Sequence, residues 1–185
     1  MTANDLDGSM TAGEFTLEKT ERAAAARLGD ASVDMASMAV VSNIYRAAHS
    51  VRNHLERTVL APYGLTWTGW VVLWVIWVWG QIEAGAVAGE AGISKSTLTG
   101  VAKTLEAKGL IERKRHPDDG RRVVLSLTDN GHALMAKAFQ AFNAVEQWAT
   151  QQLDGAAKTE VAHALRTIIK RVESAQPCHQ SAPDR

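Results

Sequence analysis

Residues 93–131 read ISKSTLTGVAKTLEAKGLIERKRHPDDGRRVVLSLTDNG, and this stretch decides the fold. Ser94 can accept a hydrogen bond from a free backbone N–H in a first helical turn, and Gly109 suits the left-handed conformation that ends many helices. Between them, apolar side chains recur at helical spacing, at Leu98, Val101, Ala102 and Leu105. The stretch therefore predicts a helix over 95–108 with one buried face.

A two-stranded hairpin is predicted directly after this helix. The runs 110–115 and 121–127 favour strands, and the Pro, Asp and Gly residues of 116–120 favour a turn between them. A polar helix followed by a basic hairpin is the plan of a winged helix-turn-helix. In that plan the helix fits the DNA major groove and the hairpin reaches phosphates or the minor groove. The predicted fold class is mainly α with a small β-hairpin wing (α+β).

The charge of this stretch favours DNA as the partner. Between Ser94 and Arg122 there are eight Lys and Arg against four Asp and Glu, whereas the 185-residue chain has a formal net charge of zero. Roughly six phosphate contacts would give a salt slope of about −5. The alternative is a solvated basic hairpin that only keeps the protein in solution. The predicted DNA contacts are Ser94, Lys95, Ser96, Thr97, Thr99, Lys103, Arg115, Asp119, Arg121 and Arg122.

Two motifs in the stretch resemble those of a known family. Asp119-Gly-Arg121 and the later Leu127-Thr-Asp-Asn-Gly131 resemble the wing signature of the MarR family of bacterial transcription regulators, and LEAKGLIER at 105–113 resembles its recognition-helix exit. The resemblance covers about 33–173. It implies that Asp119 holds the wing turn, that Arg121 reaches DNA, and that N- and C-terminal helices form a dimer. Many relatives have Arg where this chain has Gly100.

The remainder of the chain is expected to surround the winged domain with helices. A helix is predicted over 15–28, and a long one over 33–60 whose apolar residues step by three and four from Val40 to Val59. The expected boundaries are a partly ordered extension at 1–30, a MarR-like domain at 31–176 (dimerisation helices at 33–64 and 128–175, winged helix-turn-helix at 65–127) and a disordered tail at 177–185.

Five of the six tryptophans lie between Leu65 and Trp79. Trp67, Trp70, Trp74 and Trp77 step by three, four and three, so they share one face of a predicted buried helix. That face is either packing surface, in the core or against a partner subunit, or it is the wall of a ligand site. In the second case the predicted ligand is a small aromatic or apolar acid near Trp67, Trp70 and Trp74, with His49 or Arg52 as its polar partner.

The expected function is sequence-specific DNA binding by a transcription regulator, a repressor whose operator binding is relieved by the small acid. The alternative is a winged-helix DNA-binding protein without a small-molecule effector, architectural or constitutive in action. No enzyme, cofactor or metal is predicted, because the sequence has no Gly-rich phosphate loop, metal-ligand spacing or nucleophile elbow. The expected partners are a palindromic double-stranded operator and a second copy of the chain. The polar start and the single cysteine, Cys178, predict a cytoplasmic protein.

Overall fold

The computed structural model describes residues 16–29, 32–115, 119 and 122–175. They belong to two compact units, Met1–Asn53 and His54–Arg185. Arg121, most of the predicted turn at 116–120, and the predicted tail lie outside the described residues.

The first unit holds helix α1 (Leu17–Leu28) and nearly all of helix α2 (Met35–Leu55). The side chain of Thr16 caps α1 by accepting from the Lys19 N–H at 3.2 Å. Asp34 begins α2, since its carboxylate accepts from the Ser37 hydroxyl at 2.7 Å and from the Ser37 N–H at 3.0 Å. These two bonds lower the pKa of the Asp34 carboxyl. Asn43 Nδ2 donates to Glu21 Oε1 at 3.0 Å and joins the two helices.

The long helix predicted at 33–60 is not regular to its end. The α-helix ends at Leu55, a π-helical turn follows at Glu56–Leu60, and a 3₁₀ turn at Ala61–Tyr63 leads to Gly64 in the left-handed conformation. Pro62 supplies a reason, because a proline lacks an N–H and its ring collides with the carbonyl four residues earlier in a regular helix.

The second unit is built around helix α3 (Trp67–Trp79), whose apolar residues surround its whole circumference. Thr66 caps it by accepting from the Gly69 N–H at 3.1 Å. A helix that is apolar on every side is stable in water only when other elements cover it. The covering elements include α4, α5, α6 and β3, defined below, and the buried residues are Gly69, Trp70, Val72, Leu73, Val75 and Ile76.

A helix-turn-helix and a small sheet cover one part of α3. The helices are α4 (Ala84–Glu90) and α5 (Lys95–Ala107), so the predicted polar helix is found one residue shorter than expected. The strands β1 (Ile82–Glu83), β2 (Ile111–Arg115) and β3 (Val123–Leu127) form an antiparallel sheet in the order β1-β3-β2. The predicted hairpin is therefore confirmed, and β1 is a strand that the sequence analysis missed because two residues show no periodicity.

The chain closes with helices α6 (Asp129–Ala149) and α7 (Gly155–Glu173). Helix α6 buries Met135, Ala138 and Phe142, whereas α7 has no buried residue. The predicted fold class, mainly helical with a small wing, is confirmed. Within the described residues, no single helix is both long and apolar enough to cross a membrane, although the bent pair Met35–Tyr63 and Trp67–Trp79 passes that test when taken together.

The start of α6 is held against the loop between α5 and β2. Thr128 Oγ1 accepts from the Gly131 N–H at 3.1 Å and donates to the Gly109 carbonyl at 2.6 Å, while the Thr128 N–H donates to the Leu110 carbonyl at 3.1 Å. A Cβ at Gly131 would overlap the Leu110 carbonyl oxygen and lie 3.1 Å from its carbon. The close approach of the two backbones therefore requires glycine at this position.

We expect Gly131→Ala to lower the free energy of unfolding by about 1–3 kcal/mol, because the methyl group pushes the α5–β2 loop away from α6. Urea denaturation at fixed protein concentration measures the change. Gly100→Ala in the middle of α5 is the matched control, since a Cβ there meets nothing within 4 Å. The control should raise stability by about 0.5–1 kcal/mol through helix propensity. Equal effects of the two substitutions would contradict the close-approach explanation.

Candidate nucleic-acid interface and aromatic pocket

Helix α5 presents a polar face to solvent because its apolar face is fixed against the core. Leu98, Ala102 and Leu105 are buried, at 3%, 3% and 2% exposure. The Ser94 hydroxyl caps the helix by accepting from the Thr97 N–H at 3.0 Å. All six residues of α5 and its cap that the sequence analysis proposed as DNA contacts are exposed: Ser94, Lys95, Ser96, Thr97, Thr99 and Lys103.

The wing strands lie beside this helix in a fixed register. Arg113 is opposite Leu125, and Arg115 at the end of β2 is opposite Val123. The Asp119 carbonyl accepts from the Arg122 N–H at 2.9 Å, so the two residues remain close at the wing. Asp119 and Arg115 are exposed, and Arg121 lies outside the described residues.

Three cations of the basic stretch already have carboxylate partners. Arg122 Nε donates to Glu83 Oε2 at 2.9 Å, which ties the residue that precedes β3 to the end of β1. Arg113 Nε donates to Glu106 Oε2 at 2.8 Å, and this bond raises the pKa of the Arg113 guanidinium. Lys114 Nζ donates to Glu112 Oε1 at 2.7 Å, and the bonds from Lys114 and then from Ser126 lower the pKa of the Glu112 carboxyl.

These pairs change how the charge of the stretch is distributed. In the described part of the chain, no carboxylate pairs with Lys95, Lys103 or Arg115, and all three are exposed. Arg122 was predicted as a DNA contact, but its guanidinium is engaged with Glu83 in this structure. The cations with available donors are therefore on the exposed face of α5 and at the tip end of β2.

A cleft of about 460 Å³ lies between α5 and the sheet. Its charged lining comes from Lys95, Arg113, Arg122 and Glu83, and Thr99 contributes a hydroxyl from the helix. Three of the four charged groups that line it are therefore cationic, although Arg113 and Arg122 already pair with Glu106 and Glu83.

A second cavity, of about 280 Å³, lies between α3 and α6. We call it the aromatic pocket, and its lining residues are Trp67, Trp70, Val71, Trp74, Phe139, Phe142 and Glu146. Trp70 and Phe142 are buried and stack with ring centroids 4.7 Å apart. Trp74 stacks on Phe139 at 5.2 Å and stays 36% exposed. The buried pair therefore forms the base of the pocket, and Trp74 forms part of its open side.

The sequence analysis identified part of this pocket. The structure brings together Trp67, Trp70 and Trp74, as proposed. Phe139, Phe142 and Glu146 were missed, although their spacing of three and four places them on one face of α6. His49 and Arg52 belong to the first unit and are not among the lining residues.

The lining carries one charged group, whereas the sequence analysis predicted a small acid as the ligand, with His49 or Arg52 as its polar partner. Glu146 is the charged residue among the seven described residues that line the pocket, and its Oε2 accepts from Asn143 Nδ2 at 2.9 Å. The lining therefore gives no support to an acid.

Comparison with known proteins supports the resemblance seen in the sequence. The family model for the MarR family matches residues 65–123, which contain α3, the helix-turn-helix and β2. The uncharacterised HTH-type transcriptional regulator YwaE of Bacillus subtilis (strain 168) is 33% identical over 129 residues, which are 70% of this chain and 74% of that protein.

Two solved structures share the fold. BpsR of Bordetella bronchiseptica, described in a study of the regulation of its DNA binding by 6-hydroxynicotinic acid, is 24% identical with a TM-score of 0.62, over 69% of this chain and 97% of that one. A mutant MarR from E. coli complexed with operator DNA is 23% identical with a TM-score of 0.61, over 69% of this chain and 94% of that one.

The match to YwaE extends from the winged domain into the helices around it, and the fold is that of the solved MarR proteins. The chain is accordingly a member of the MarR family of winged helix-turn-helix transcription regulators, which bind DNA and are not enzymes.

Proposed function

We propose that this regulator is a homodimeric repressor that binds a palindromic operator and is released from it by a small aromatic ligand. The observation that carries the DNA part is the exposed polar face of α5, where Lys95 and Lys103 have no carboxylate partner in the described residues, beside the mainly cationic cleft. Hydroxyls and cations on an exposed helix can contact base edges in the major groove, and cations of the wing can contact phosphates. The solved E. coli relative is complexed with operator DNA.

Exposed apolar faces support the homodimer. Val161, Leu165, Ile169 and Val172 recur along α7 at steps of four, four and three, and all four are exposed. Helix α2 likewise exposes Val40, Val41 and Val51. Apolar stripes on long helices are stabilised when a second subunit covers them. We therefore assign the dimerisation role to 33–64 and 128–175, within a MarR-like domain at 31–176 that follows the extension at 1–30.

The dimer would set the length of the operator. Two symmetric recognition helices bind half-sites about one helical turn apart, roughly 34 Å, so a two-fold symmetric protein selects a palindromic sequence. Such an operator lies in the bacterial cytoplasm, which agrees with the location expected from the sequence.

The aromatic pocket supports the ligand part. It is a preformed cavity with an apolar lining and one charged group, which are the features of a small-molecule site. In the related fold of BpsR, 6-hydroxynicotinic acid regulates DNA binding. A ligand here needs only about 1.4 kcal/mol of differential affinity between two conformations to change operator binding tenfold.

The DNA surface is tested by the dependence of operator affinity on salt. Lys103→Ala and Arg121→Ala should each weaken binding and reduce the slope of log K against log salt by about one unit, because each substitution removes a cation that neutralises a phosphate. Lys137→Ala on α6 is the charge-matched control and should leave the slope unchanged. Unchanged slopes for both Lys103→Ala and Arg121→Ala would mean that neither the α5 face nor the wing tip contacts phosphates.

The proposed dimer is tested by placing a charged side chain on the apolar stripe of α7. Ile169→Asp should shift the protein towards monomer in analytical ultracentrifugation at micromolar concentration and weaken operator binding, because an unpaired carboxylate would be buried in the interface. Thr167→Asp, two residues away and thus on the opposite side of the helix, is the control and should remain dimeric. A wild-type protein that is strictly monomeric and still binds operator tightly would contradict the proposal.

The release of operator DNA by a ligand is tested with a panel of small aromatic compounds of different charge. Active compounds should change tryptophan fluorescence and weaken operator binding at the same concentrations. Trp74→Ala should reduce both responses, whereas Trp79→Ala should not, since Trp79 is exposed and does not line the pocket. If fluorescence never responds, or responds while operator affinity is constant, the aromatic face is packing surface and the regulator acts without this effector.

A further inference from the structure

We propose that the aromatic pocket selects a small aromatic or lipophilic cation, such as a protonated or quaternary amine that carries one or two rings. This inference rests on the proposed ligand response and names the charge of the ligand at that site. It reverses the charge expected from the sequence, and it follows from the groups that surround the cavity.

The lining consists of aromatic rings, Val71 and one carboxylate. Three tryptophans and two phenylalanines line the pocket. The ring centroids of Trp70 and Phe142 are 4.7 Å apart, and those of Trp74 and Phe139 are 5.2 Å apart. The face of an aromatic ring carries partial negative charge, and indole attracts a cation more strongly than the other side-chain rings do. A preformed set of such rings therefore favours a positive ligand over a negative one of the same shape.

Glu146 adds a full negative charge to this lining. Asn143 Nδ2 donates to its Oε2 at 2.9 Å, and the Asn143 side-chain oxygen accepts from Gln147 Nε2 at 2.7 Å. Glu146 is exposed, and these hydrogen bonds link its carboxylate to neighbouring side chains on the α6 side of the pocket. A ligand cation between the tryptophans and Glu146 would gain both cation–π and ionic attraction, whereas an anion would meet repulsion from each.

The helix end nearest the pocket does not provide a site for an anion. Trp67 is the first residue of α3, and a helix N-terminus normally attracts negative charge. Here Glu56 Oε1 accepts from the Trp67 N–H at 2.9 Å, and the Thr66 hydroxyl accepts from the Gly69 N–H at 3.1 Å. A carboxylate of the protein therefore already pairs with the first N–H of α3. The volume of about 280 Å³ then limits the occupant to a small molecule.

The test compares three benzyl compounds at constant ionic strength: benzyltrimethylammonium, its neutral isostere neopentylbenzene, and the smaller anion phenylacetate. Dissociation constants are taken from tryptophan fluorescence titrations of the full-length protein. Benzyltrimethylammonium should bind at least about tenfold more tightly than phenylacetate. Glu146→Gln should weaken binding of the ammonium by about five- to tenfold and leave neopentylbenzene unchanged, which also shows that the variant is folded.

Glu160→Gln on α7 removes the same charge away from the pocket and should change the affinity for the ammonium less than about twofold. Equal or tighter binding of phenylacetate would overturn the cationic assignment while the proposed ligand response stands. An ammonium affinity that is unchanged in Glu146→Gln would also overturn it. If none of the three probes binds, the cationic assignment is wrong, and the titration with the panel of aromatic compounds decides the ligand response independently.

Discussion

The burial of helix α3 is the constraint on which the second unit depends. Its residues are apolar on every side, so the chain must supply cover around the whole helix. The helix-turn-helix, β3 and α6 supply that cover, and each is thereby fixed in place. Full burial of a large apolar side chain contributes about 1.5–3 kcal/mol, and α3 buries five. The polar face of α5 points to solvent as a consequence, because its other face is used to cover the core.

Ion pairs between side chains connect neighbouring elements at the surface that this packing creates. The link between Arg122 and Glu83 joins the wing to β1, and the link between Arg113 and Glu106 joins β2 to the end of α5. These pairs are exposed and contribute little to stability, typically less than about 1 kcal/mol each. They connect elements of the second unit, the wing to β1 and β2 to the end of α5. The surface proposed for DNA therefore includes paired cations as well as exposed cations without a carboxylate partner among the described residues.

The sequence predicted the elements whose signals are local. The cap at Ser94, the apolar stripe from Leu98 to Leu105 and the hairpin all depend on neighbouring residues, and the structure has them. What depends on contacts between distant residues could not be predicted: the pairing of Arg122 with Glu83, the two-residue strand β1 and the contribution of Phe139, Phe142 and Glu146 to the pocket. The helix at 33–60 was predicted from the spacing of its apolar residues, and Val40 and Val51 of that stripe are exposed in the single chain. Periodicity shows that a face is apolar but does not show what covers it.

The same helix that holds the DNA-binding elements also carries the aromatic pocket. Gly69 of α3 lies next to Leu105 of α5, while Trp70 and Trp74, one and five residues later, stack on α6. A ligand that changes how α3 packs on α6 therefore acts on an element in direct contact with the recognition helix. Close-packed interfaces between helices adopt alternative arrangements rather than deform gradually, so a small shift at the pocket can be transmitted as a change in the position of α5. Coupling through one shared helix would require no longer path, because the tryptophans of the aromatic pocket belong to that helix.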